Sequence, residues 1–370
     1  MKEFIYSVYA LFFNIYARLF KVKKNRVALV SMHNEGFKDA LGSVYEELKK
    51  RGNTDFVFIS RQDLEIKARN IFRVISFFVF KSFKLATAQY VYLNDNFLPM
   101  SVLNIKNDTT VVQLWHAEGV FKKFGFAIPQ EKSVRESEKR ANEKIDFVVC
   151  SSKAVAPYYS EAFGIDESRV LPLGSPRADY FFTEGKKEEA RKSLEGRYPV
   201  LKGKKVVLYA PTFRDTREEN EAILGKLDPE GLCGLLGDGY ALLVKLHPQI
   251  HTDIKENGFF IDATDYEDVR ELISACDILV TDYSSICMDF ALLNKKTVFF
   301  AYDLEKYTAD RDFYFDYLSY IPGKAVRTTK ELAEEIKAPF DEERNEKFVK
   351  FNFDFFDGES ARRVVDRVES

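Results

Sequence analysis

Along almost its whole length the chain alternates short β-rich runs with stretches of helical period, and this alternation narrows the possible folds most. In the first half the runs are "RVALVSM", "TDFVFIS", "YVYLND", "TTVVQLW", "DFVVCSS" and "RVLPLGSP". In the second they are "KKVVLYAPTFRD", "YALLVKLHPQ", "GFFIDAT", "DILVTDYSS" and "KTVFFAY". Runs this apolar, spaced by helices, belong to parallel sheets covered on both faces. A chain of 370 residues exceeds one ordinary core. The expected fold class is therefore α/β, with two doubly wound, Rossmann-like domains facing a cleft. Turn residues and lysines in "EGRYPVLKGKK" place the boundary near 195–205. The expected division is 1–195, 196–345, and a helical segment over 346–370 that packs back on the first domain. Ligands of such sheets bind outside the carboxyl ends of the strands.

Charge is unevenly spread. Residues 1–130 hold 13 Lys and 6 Arg against 6 Glu and 5 Asp, although the whole chain sits at −3. A basic first half points to an anionic partner. No zinc finger, RNP motif or arginine-rich arm is present, which argues against nucleic acid and leaves a membrane surface. The segment "FIYSVYALFFNIYARLF" (4–20) fits that partner. Its polar residues Glu3, Ser7, Asn14 and Arg18 form one stripe at helical spacing, and "KVKKNR" follows. It falls at the short limit of the roughly 20 apolar residues a span requires, and no cleavage site follows. An amphipathic helix lying in the membrane interface is the expectation. "NIFRVISFFVFKSFKLA" (70–86) repeats the pattern, with Arg69, Arg73 and Lys84 on one face. Two buried core helices are the alternative. The four cysteines form no CxxC pair and read as buried thiols of a reducing cytosol.

Three loops of the second half carry groups suited to phosphate. "LYAPTFRD" (208–215) ends a strand with Pro211, Thr212 and Arg214; "VKLHPQI" (244–250) ends another with His247. "DILVTDYSS" ends a third with Asp282, Ser284 and Ser285, directly before a helix. Hydroxyls and unpaired N–H groups at a helix start attract anions. Taken singly, the serines read equally well as helix caps and His247 as a loop residue before a proline. In a parallel sheet all three loops open at one edge, where a guanidinium, an imidazole and hydroxyls together suit a pyrophosphate. The one D-x-D, Asp310-Arg311-Asp312, has a cation at its centre, and Walker A, G-x-G-x-x-G and HExxH are missing. Neither a metal nor a cofactor is expected. Arg311 is a further candidate cation for the phosphates.

In the first half "QLWHAEGVFKKFGF" (113–126) places His116 where a strand passes into a loop, beside Trp115. An imidazole there suits a general base, with a core histidine packed on Trp115 as the alternative. "SMHNEGF", with His33 and Gly36, either borders the same groove or is a plain strand-to-helix turn.

Together "QLWHAEGVFKKFG", "VLYAPTFRD", "VKLHP", "DILVTDYSS" and "YTADRDFYFDY" resemble the CDP-glycerol glycerophosphotransferases of wall teichoic acid synthesis. The resemblance runs from about residue 110 to 320, and five motifs in order make it specific. It implies a GT-B-like fold and peripheral attachment to the cytoplasmic face of the plasma membrane. The implied reaction moves glycerol phosphate from CDP-glycerol to a polyprenyl-diphosphate-linked acceptor. Polymerases of the family more often read WHGTP; the form here, with Ala117, Glu118 and Gly119 after the histidine, is similar to the primases. Those add the first glycerol phosphate to the N-acetylmannosamine of the lipid-linked disaccharide. The resemblance makes His116 the base, with Trp115, Glu118, Lys122 and Lys123 near the acceptor. His247 then acts on the departing CMP, and Pro211, Thr212, Arg214, Asp282, Ser284, Ser285 and Arg311 border the donor. A ribitol phosphate or polymerising enzyme of the same family, or a nucleotide-sugar enzyme on the same scaffold, is the alternative.

Overall fold

The computed structural model describes residues 2–32, 39–64, 71–247, 250, 254 and 256–370. It contains two six-stranded sheets, and every paired neighbour is parallel. Two compact units result: Met1–Tyr180 with Phe353–Ser370, and Phe181–Asn352.

The first unit holds β1 (Lys23–Ser31), β2 (Asp55–Ser60), β3 (Ala88–Leu93), β4 (Thr110–Gln113), β5 (Phe147–Cys150) and β6 (Val170–Pro172) in the order β2-β1-β3-β4-β5-β6. Its strand order reverses between β1 and β3, and ligands of open α/β sheets bind at such a point. Val27, Leu29, Tyr92, Val112 and Val149 of the sheet pack with Leu41, Val44 and Leu48 from the helix Ala40–Arg51. Val364, Val365 and Val368 of the C-terminal helix Ser360–Glu369 join the same core. Arg51 reaches Asp366 and Glu369 at its rim.

The second unit holds β7 (Lys205–Tyr209), β8 (Tyr240–Val244), β9 (Phe260–Asp262), β10 (Ile278–Thr281), β11 (Lys296–Phe300) and β12 (Lys324–Val326), ordered β12-β11-β10-β7-β8-β9. This is the dinucleotide-fold order, with its reversal between β7 and β10. Residues 206–209 and 278–281 are buried without a break, as strands covered on both faces require.

The expected boundary at 195 falls inside the helix Lys186–Arg197, which belongs wholly to the second unit. Arg191 on that helix donates to the carbonyls of Ala275 and Lys204 and to Asp277, fixing it to the second sheet's helical layer. The expected tail likewise begins later than 346. Asn345 on the helix Glu342–Asn352 donates to the carbonyl of Ala291, so only the chain from Phe353 joins the first unit.

The N-terminal segment forms one helix, Lys2–Leu19, whose inner face stacks Tyr9 on Phe77 at 4.4 Å and sets Tyr16 edge-on to Phe83 at 5.5 Å. Its outer face differs from the sequence expectation. Asn14 turns toward the protein and accepts the Asn104 N–H at 2.8 Å, while Leu11, Ile15 and Leu19 are 60%, 46% and 70% exposed. The second stretch is broken into Ile71–Ile75, a π-helical turn Ser76–Lys81, and Ser82–Ala86. Phe72 and Phe80 are exposed there, and Lys84 pairs with Asp55 at 3.4 Å. Arg69 lies outside the described residues, as do His33 and Gly36. Among the described residues no helix is long and apolar enough to cross a membrane.

Candidate active site

In the first unit the register of β3 and β4 pairs Leu93 with Gln113, which brings the residues after each strand to one level. The chain leaving β4 turns sharply at Trp115, whose φ of 61° lies in the left-handed region that a bulky residue rarely adopts. The turn is held by Gln113, whose amide oxygen accepts the Trp115 N–H at 3.0 Å and whose amide nitrogen donates to the Asp95 carbonyl at 3.2 Å. Trp115 is half-buried, stacked on Phe124 at 5.1 Å and edge-on to Phe163 at 5.2 Å. His116 follows it with a side chain 33% exposed, so it is not a closed core histidine. Its Nδ1 lies 2.8 Å from the carboxylate of Asp95, a residue at the end of β3 that is 3% exposed.

The rest of the loop is fastened down. Tyr159 donates to the Ala117 carbonyl at 2.9 Å, and the Gly119 N–H to Ser151 Oγ at 3.1 Å. Glu118, expected near the acceptor, is instead buried, and its carboxylate accepts from Ser175 Oγ. It ties the loop to the segment after β6 and does not open to solvent. Lys122 and Lys123 are half-buried. Gly125, with φ of 56°, abuts the helix Ala156–Phe163 so closely that a Cβ would lie 2.1 Å from the Ala162 carbonyl oxygen.

In the second unit the three expected loops share the carboxyl edge of the sheet. Asp282 joins two of them: its buried carboxylate accepts the Thr212 N–H at 2.8 Å and an Arg214 guanidinium N–H at 2.9 Å. His247 is exposed, with its ring 4.7 Å from that of Phe213, which brings the loop after β8 to the loop after β7. Pro211 is buried beside them. Ser284 is half-buried, and its Oγ accepts the Ile286 N–H at 3.4 Å; Ser285 is exposed and makes no side-chain cap to the helix Ile286–Leu292. Both hydroxyls therefore stand at an accessible helix start.

Arg214 is not used as expected. Its guanidinium is 6% exposed and turned inward, held by Asp303 at 2.7 Å as well as by Asp282. Burial opposes the charge, but Asp282 and Asp303 more than offset this and hold the group firmly protonated. Tyr283 and Tyr307 place their rings 5.3 Å from it and stack on each other at 3.7 Å. Burial pushes the Tyr307 hydroxyl up to about 12, so it stays protonated at neutral pH. Arg214 thus builds the wall of the edge, while Arg311 reaches Asp215 over an adjoining cleft of about 200 Å³ bordered also by Lys306 and Tyr307. Asp95 and Asp303 escaped the sequence reading; each sits just past a strand, and only that position marked it.

A family described as CDP-Glycerol:Poly(glycerophosphate) glycerophosphotransferase matches residues 11–370. The chain belongs to this family. It is therefore an enzyme of the teichoic acid glycerophosphotransferase type, as the motifs implied. It is 35% identical over 361 residues to a teichoic acid poly(ribitol-phosphate) polymerase of Bacillus spizizenii, covering 95% of this chain and 57% of that protein. To a teichoic acid ribitol-phosphate primase of the same organism it is 30% identical, covering 100% of this chain and 97% of that protein. The solved structure of the wall teichoic acid polymerase TagF has the same fold, with a TM-score of 0.79 at 24% identity, over 100% of this chain and 95% of the other. The GT-B-like expectation holds.

Proposed function

We propose that the enzyme is a teichoic acid primase. It transfers glycerol phosphate from CDP-glycerol to the N-acetylmannosamine of an undecaprenyl-diphosphate-linked disaccharide and releases CMP. The observation that carries this reading is the partly exposed imidazole of His116 beyond β4, held on a fastened loop. Its imidazole takes the acceptor hydroxyl's proton as that oxygen bonds to the β-phosphorus of the donor. The bond from phosphorus to CMP breaks, and charge gathers on the departing phosphate. His247, Ser284, Ser285 and the N–H groups of the helix start supply the donors that stabilise it. These groups give the reaction its electrostatic stabilisation, so turnover is expected to need no metal or cofactor.

Donor binding tests the assignment of the second unit. Ser284→Ala with Ser285→Ala weakens CDP-glycerol binding by calorimetry while the circular dichroism spectrum is retained. Unchanged affinity removes both serines from the site. Ribitol phosphate is the second reading, favoured by the ribitol-phosphate primase that matches over nearly its full length. CMP release from CDP-glycerol against CDP-ribitol separates the two.

The acceptor's lipid tail calls for attachment to the cytoplasmic face of the membrane. The exposed Leu11, Ile15 and Leu19, followed by Lys21 and Lys24, support an interfacial docking face. Replacing the three apolar residues with serine leaves the Tyr9–Phe77 stack untouched. Such a variant is expected to float free of anionic vesicles that retain the parent protein. Equal sedimentation of both would place the contact elsewhere.

A further inference from the structure

The cleft of about 200 Å³ in the second unit lies between the loop after β7, the helix Arg217–Leu227 and the helix Leu304–Asp310. Two ion pairs tie its walls together, Arg311 to Asp215 and Lys306 to Glu219. A third pair, Arg214 to Asp303, is largely buried behind them. The fourth carboxylate of the lining, Asp310, is exposed and makes no side-chain hydrogen bond or ion pair among the described residues. Tyr283 donates to Asp303 at 2.9 Å and stacks on Tyr307, also of the lining; its chain neighbour is Ser284. On the other wall the Phe213 ring lies 4.7 Å from that of His247. The cleft therefore flanks two of the groups assigned to the donor phosphates.

The lining selects a chemistry. Four carboxylates against three cations leave one negative charge in surplus, which does not favour a phosphate. An apolar group would take water from charged side chains without replacing their hydrogen bonds. A nucleobase favours an open aromatic face, and both rings of the lining are already engaged, Tyr307 by Tyr283 at 3.7 Å and Phe213 by His247. A polyol suits the cleft, because each hydroxyl can donate to a carboxylate and accept from an ammonium or guanidinium. We propose that the cleft is the alditol subsite of the donor, with the Asp310 carboxylate accepting a hydrogen bond from an alditol hydroxyl. The proposal rests on the reading that the second unit binds CDP-glycerol, whose diphosphate at Ser284 and His247 brings its alditol to this cleft.

Calorimetry on the full chain with CDP-glycerol and with CDP reads the subsite, since CDP lacks the alditol. Asp310 is exposed, so Asp310→Ala is expected to keep the parent's circular dichroism spectrum. It should bind CDP-glycerol about 3- to 10-fold more weakly, the loss of one hydrogen bond at the surface. CDP should bind it no less tightly than it binds the parent, because removing a carboxylate does not weaken the hold on an anion. Asp310→Asn, whose amide oxygen still accepts, should recover most of the CDP-glycerol affinity. Equal weakening of CDP would put the nucleotide in the cleft and overturn the proposal, as would unchanged affinity for CDP-glycerol in Asp310→Ala. A parent that binds neither ligand would overturn the donor reading itself, and the subsite with it.

Discussion

His116→Ala binds CDP-glycerol as the parent does and turns over about 100- to 10,000-fold more slowly, the range a positioned general base contributes. The donor affinity is expected to survive because the groups proposed to meet the phosphates lie on the second unit, on the loops after β7, β8 and β10. The fold survives because His116 is a third exposed and the loop is held without it, through Gln113, Ala117 and Gly119. His247→Ala is expected to behave differently, losing both donor affinity and rate, because the proposed function sets its imidazole against the donor phosphates before and during transfer. The pair of variants divides acceptor activation from leaving-group stabilisation. Stopped-turnover CMP release and calorimetry on the same preparations read both.

Arg214→Met destabilises the second unit by about 3–5 kcal/mol, as expected when one partner leaves a buried ion network. Asp282 would lose its cation while remaining almost fully buried, and Asp303 would lose a second contact. The side chain's packing beside the stacked rings of Tyr283 and Tyr307 would also be lost. Denaturant unfolding reports the change. Parent-like stability with weakened donor binding would mean that the guanidinium serves the ligand and not the wall.

Both results turn on features that reach across the sequence by different distances. The strands were legible because residues 206–209 and 278–280 are unbroken apolar runs, which a sheet covered on both faces accommodates. The shared edge of the three loops after β7, β8 and β10 was legible for the same reason, since strand ends of a parallel sheet open on one edge. The inward turn of Arg214 was not, because it depends on Asp303, 89 residues away. Asp95 was hidden likewise: "YVYLND" ends like any strand, and its contact with His116 exists only through the register of β3 on β4. Helical spacing set Asn14 among solvent-facing residues, but the N–H of Asn104 offered it a partner on the protein side. Local pattern located the edges; the pairing of strands decided which side chains serve there.

The most direct test supplies the full chain with CDP-glycerol and a synthetic polyprenyl-diphosphate disaccharide, and reads the lipid product by mass spectrometry alongside released CMP. The account predicts a product carrying a single glycerol phosphate, with one CMP released for each, and the same product from His116→Ala formed about 100- to 10,000-fold more slowly. A ladder of additions would make the enzyme a polymerase. An unmodified acceptor with CDP-glycerol and CDP-ribitol alike, or transfer from a UDP-sugar, would contradict it.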